Sequence, residues 1–129
     1  MIKELGTRKN LHLSISTLIA VPVALVYGFQ PDLLFDVAIK SIDEANIFKA
    51  IMGLYLAFTA LWILGIFKQK YWKSATTSNM FFMLGLALGR IISLMFDGIP
   101  SSLFVLGTFG EVVLGFYAFY QLKNQKSLD

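Results

Sequence analysis

Four long apolar runs organise this chain, at residues 11–29, 48–67, 78–96 and 102–120. Each is continuous rather than alternating, so each reads as a helix. A helix rises about 1.5 Å per residue, and about 20 residues cross a hydrocarbon core. Membrane-spanning strands would be shorter and would alternate. The pattern therefore predicts an all-α fold, an integral membrane four-helix transmembrane bundle, with residues 1–129 as one four-span domain. Pro22 lies inside the first run and predicts a kink. Pro31 blocks a simple continuation of that helix. Between the first two runs, Leu33, Leu34, Phe35, Val37 and Ile39 roughly alternate with Asp32, Asp36 and Lys40. That stretch fits either a short interfacial helix or an ordered loop. A basic stretch before an apolar run is also how a secretory signal begins. The length of the run, and the lack of a small-x-small site after it, favour a retained span.

Composition makes the bilayer the better solvent. Hydrophobic residues form 57% of the chain and charged residues only 15%, where a soluble domain carries about 25% charged residues. There is no cysteine, and His12 is the single histidine. Disulfides, thiolate zinc sites and iron–sulfur clusters are excluded, and one histidine builds no multi-histidine metal site. No metal and no cofactor are expected. The net charge of +3 does not point to nucleic acid, because the basic residues are scattered among the ends of the runs. Lys3, Arg8 and Lys9 precede the first run, Lys68, Lys70 and Lys73 separate the second and third, and Lys123 and Lys126 follow the fourth. The other two connections carry mainly Asp and Glu. The positive-inside rule then places both termini in the cytoplasm. Tyr71 and Trp72 fit the inner interface, and Tyr27 fits the outer one.

Two charges interrupt the apolar runs: Arg90 in the third and Glu111 in the fourth. An ionisable residue inside a membrane is a functional-site hypothesis by default. Arg90 lies about 10 Å inside the outer boundary and Glu111 about 14 Å, from the rise per residue. Similar depth on helices joined by a short turn makes a direct ion pair easy. Tyr55 of the second run falls near the same level. Ser93 and Asp97 follow Arg90 at i+3 and i+7 and extend a polar stripe outward. The candidate ligand-binding residues are therefore Arg90, Glu111, Tyr55, Ser93 and Asp97; no catalytic residue is assigned. The alternative is an architectural pair that fixes which helices meet. Gly85 and Gly89 form a GxxxG pattern, read as packing within the bundle. Asp97-Gly98-Ile99-Pro100 reads as a tight turn, Glu44 and Asn46 as groups meeting the amides that begin the second helix, and His12 as structural.

The segments Ala50-Ile-Met-Gly-Leu-Tyr-Leu-Ala, Gly85-Leu-Ala-Leu-Gly-Arg-Ile-Ile-Ser, Asp97-Gly-Ile-Pro-Ser and Gly110-Glu111 resemble the bacterial membrane family called domain of unknown function 4345. The resemblance covers most of the chain. Its more specific elements are Gly-Arg-x-x-Ser and Asp-Gly-x-Pro-Ser, and Tyr55, Arg90, Ser93, Asp97, Pro100 and Glu111 match motif positions. Family members often carry arginine where this chain has Lys49, which keeps the charge but not a bidentate contact. The resemblance implies an uncharacterised four-span protein of the bacterial cytoplasmic (inner) membrane and implies no activity. A looser similarity is to DoxX-like proteins.

Four functions are compatible with this reading. The first is a non-enzymatic membrane protein that binds a lipid-like or amphipathic small molecule in its outer half. The second is a small transporter or proton-linked carrier, although no inverted repeat is visible. The third is a structural subunit of a membrane complex, and the fourth a membrane-embedded enzyme. No nucleophile–base pair or metal motif supports an enzyme. The bilayer is the expected partner, and a homo-oligomer stays open.

Overall fold

Helix formation follows the apolar runs and then overshoots them. In the computed structural model, which describes residues 2–126 and side chains from Gly6 to Gln125, the helices are α1 (Ile2–Phe29), α2 (Ile42–Phe67), α3 (Gln69–Phe96) and α4 (Ser102–Lys126). All four are long and apolar enough to cross a membrane, and the described residues contain no strand. This is an all-α four-helix bundle, with the helices of a multi-pass membrane protein. The side chains of Lys3 and Lys126 lie outside the described residues.

The overshoot has local causes. α3 starts at Gln69 rather than at residue 78, because Gln and Lys are good helix formers that keep their charge or amide in water. Lys68 alone separates α2 from α3; it is extended and its N–H donates to the Leu64 carbonyl at 2.8 Å. α2 starts at Ile42 because Ser41 and Glu44 form a reciprocal capping box. The Ser41 hydroxyl accepts from the Glu44 N–H at 3.1 Å, and the Glu44 carboxylate accepts from the Ser41 N–H at 3.2 Å, satisfying two otherwise orphaned amides. Pro22 sits inside α1 without ending it.

The helices pack in sequence, α1 on α2, α2 on α3 and α3 on α4, while α1 touches α3 and α4 only slightly. One end of the bundle, here the terminal end, holds the start of α1, the Lys68 turn and the end of α4. The other, the loop end, holds residues 30–41 and the turn 97–101. In that turn Gly98 has φ +104°, a conformation open to glycine at no steric cost. Residues 30–41 form the ordered loop rather than a surface helix. A 3-10 turn at Pro31–Leu33 leads into a segment whose Phe35 folds inward, stacked on Tyr27 at 5.0 Å and on Phe104 at 4.6 Å.

Trp62, Trp72 and Leu13 form the buried centre, and Phe67, Phe81 and Phe96 face outward. Close helix approach does not occur at the GxxxG pattern, contrary to the sequence reading. A Cβ on Gly85 or Gly89 would meet nothing within 4 Å. The tight approaches are Gly28 against Met52, Gly65 against Ala75 and Gly115 against Leu84.

Candidate functional site

Arg90 and Glu111 project from α3 and α4 toward each other, near the loop end. The Arg90 Nε donates to both Glu111 carboxylate oxygens, at 3.0 and 2.9 Å. Neither side chain is open to much solvent, at 23% and 12% exposure. The guanidinium lies over the Phe104 ring at 5.2 Å. The bonds to Glu111 all come from Nε, so the terminal nitrogens of the guanidinium are left for other acceptors.

Two tyrosines supply the other side. Tyr55 of α2 and Tyr27 of α1 are both buried and meet edge to face at 5.9 Å. Both line the same cavity as Arg90. A cavity of about 350 Å³ opens beside this group. Its walls are apolar and come from all four helices and the 30–41 segment, including Val23, Phe35, Phe82, Leu86 and Leu114. Its polar wall is Arg90, Glu111, Tyr27 and Tyr55, with Ser16 at the far end. A mostly apolar cavity with a few convergent polar groups is how small-molecule sites are commonly built. A more open cleft of about 450 Å³ lies between α2 and α3. It is lined by Gly85 and Gly89, and it reaches Arg90 from the other side. Among the described residues no group of three or more His, Asp or Glu could hold a metal.

A family profile described as "Domain of unknown function (DUF4345)" matches residues 9–122. The chain belongs to this family. No curated protein and no solved structure matches it. The matched region contains every residue of the Arg90 cluster and most or all of each of the four apolar helices, so the DUF4345 unit here is a membrane-type helical bundle.

Within the DUF4345 unit, the structure brings Arg90, Glu111 and Tyr55 together and leaves Ser93 and Asp97 apart. The Ser93 hydroxyl donates to Asp97 at 2.8 Å, at the exposed loop end, and neither residue lines either cavity. The i, i+3, i+7 stripe is kept, but it runs past the cavity to the end of α3, where the Asp97 N–H donates to the Ser93 carbonyl at 2.7 Å. Lys49 also lies elsewhere; its ammonium donates to the Gly28 carbonyl at 3.1 Å, which suits a cation at the end of α1. Tyr27, read from sequence as an interface marker, belongs to the cluster instead. Its signal was the small-residue stripe Ser16, Ala20, Ala24, Tyr27 on one face of α1, which lets other helices come close to that face.

Proposed function

We propose that this protein is a non-enzymatic, four-span membrane protein that holds a lipid-like or amphipathic small molecule in the cavity beside Arg90. The observation that carries the reading is the composition of that cavity. Its walls are apolar and its polar groups gather at one side, around an arginine whose terminal nitrogens are not used by Glu111. Arg90 would meet an anionic or carbonyl group, Glu111 would hold the guanidinium in place, and Tyr27 and Tyr55 would donate hydrogen bonds. The distribution of Lys and Arg supports an orientation with both termini in the cytoplasm, and the bacterial cytoplasmic membrane is the proposed location. Ser93 and Asp97, set apart at the loop end, would act only on the approach to the site.

A second reading is favoured by the ion pair itself, which joins α3 to α4 and could be purely architectural. Native mass spectrometry of gently extracted protein separates the two. The wild type should carry a bound species of lipid-like mass, and the folded double variant Arg90→Met/Glu111→Leu should lose it. A folded double variant that keeps the species, or a wild type that carries none, leaves the architectural reading standing.

A further inference from the structure

The terminal half of the bundle contains a second polar cluster, on different residues. His12 and Ser16 lie one turn apart on α1, and Trp72, Thr76 and Asn79 lie at one-turn spacings on α3. His12, Ser16, Thr76 and Asn79 are fully buried and Trp72 is nearly so. One bond links the two helices here, between His12 Nε2 and the Thr76 hydroxyl at 3.1 Å. The other polar atoms find no partner among the protein's own groups: His12 Nδ1, the Ser16 hydroxyl, the Trp72 indole N–H and both atoms of the Asn79 amide. Asn79 lies ten residues into a helix that begins at Gln69, or about 15 Å along its axis. The first nine of those residues precede the apolar run that begins at 78, so the cluster lies at the edge of the hydrocarbon but fully buried within the protein, where each unpaired polar group carries a large desolvation penalty. So many unpaired groups in one buried place call for a guest that pairs with them.

We propose that His12, Ser16, Trp72, Thr76 and Asn79 form a second binding site that takes small, neutral, hydrogen-bonding molecules, with water as its occupant. The donor and acceptor inventory fits water. The Asn79 amide and the Ser16 hydroxyl each both donate and accept, Trp72 only donates, and the histidine nitrogen does either. The set holds no carboxylate, and Lys9, the nearest cation, is engaged at the surface with Gln69 and the Trp72 ring. A buried water needs two to four polar partners, and five unpaired atoms lie within about one helical turn of the His12–Thr76 bond. Ser16 also lines the Arg90 cavity, so the proposed site adjoins it.

The chain has no cysteine, so single-cysteine variants need no prior substitution. A thiol reacts as its thiolate, which forms where water reaches and is suppressed in apolar surroundings. Ser16→Cys and Asn79→Cys, in the full chain in proteoliposomes, should react with methyl methanethiosulfonate about tenfold faster or more, which corresponds to a thiolate population one pKa unit more accessible. The comparison is with Ala24→Cys and Ala87→Cys, on the same two helices and equally buried. Equal rates overturn the proposal. A second measurement guards against misfolding of the cysteine variants. Asn79→Leu should lower the thermal midpoint, because it strips bound water of a partner and leaves His12, Ser16 and Trp72 unpaired. A dry site would respond with a raised midpoint, since two unpaired amide atoms disappear, and that result also overturns it.

Discussion

At the residue scale, the ion pair is the most consequential single contact. Glu111→Ala leaves the Arg90 guanidinium buried without its anion, a change that costs about 3–5 kcal/mol in comparable buried pairs. The expected outcome is a large drop in the thermal midpoint in detergent, most of it restored in Arg90→Met/Glu111→Leu, where neither charge remains. If the double variant is as unstable as the single one, the pair is not the source of the effect. On the proposed function, Tyr27→Phe should weaken retention of the bound species expected in native mass spectrometry, and Ser93→Ala should leave it unchanged, because only the first residue lines the cavity. The pair was legible in the sequence because charges stand out in apolar runs, and rise per residue sets their depth. Tyr27 and Asn79 were not. An aromatic near the end of a span and a neutral amide within one are ordinary by type. Their meaning depends on which face of the helix they occupy, and near-uniform hydrophobicity around α1 hides its rotation.

At the element scale, glycine spacing and glycine packing part company. Gly65 is tight: a Cβ there would lie 2.3 Å from the Cβ of Ala75, an atom fixed to the backbone of α3. Gly65→Ala must therefore push α2 and α3 apart next to the Lys68 turn and should destabilise clearly. Gly85→Ala and Gly89→Ala meet open space and should stabilise by roughly 0.5–1 kcal/mol each through helix propensity. Thermal melts of the three variants side by side check the contrast. Ser41→Ala removes one half of the capping box and should cost about 1 kcal/mol. The sequence showed four helices plainly, since continuous apolar runs have one economical solution in a bilayer. It showed the ends at Phe29, Phe67 and Phe96 and the start at Ser102, but not the other four ends, where each helix runs beyond its apolar run. Nor did it show the inward fold of Phe35, which depends on Tyr27 and Phe104 being brought together from distant parts of the chain.

At the scale of the whole molecule, the bundle has two unlike ends, and the charge pattern predicts the side each faces. Reporter fusions at Asp43 and Pro100 should both report the non-cytoplasmic face, and a fusion at Gln125 the cytoplasmic one; a cytoplasmic signal from either loop position reverses the assignment. The seam between α1 and α4 is closed at the terminal end, where the Tyr117 hydroxyl donates to the Arg8 carbonyl at 2.8 Å and Tyr117 packs on His12. Toward the loop end the same two helices flank the Arg90 cavity, and the bilayer-facing Ile19 and Leu106 stand at its rim. A gap of that shape opens sideways, into one leaflet. An occupant of the proposed kind arriving through it would come from the membrane phase, so its working concentration would be a mole fraction in lipid. Each added methylene would then raise apparent affinity in an aqueous titration by about 0.8 kcal/mol through partitioning alone. Titrations expressed per lipid would remove that slope and leave only what Arg90 and its tyrosines select.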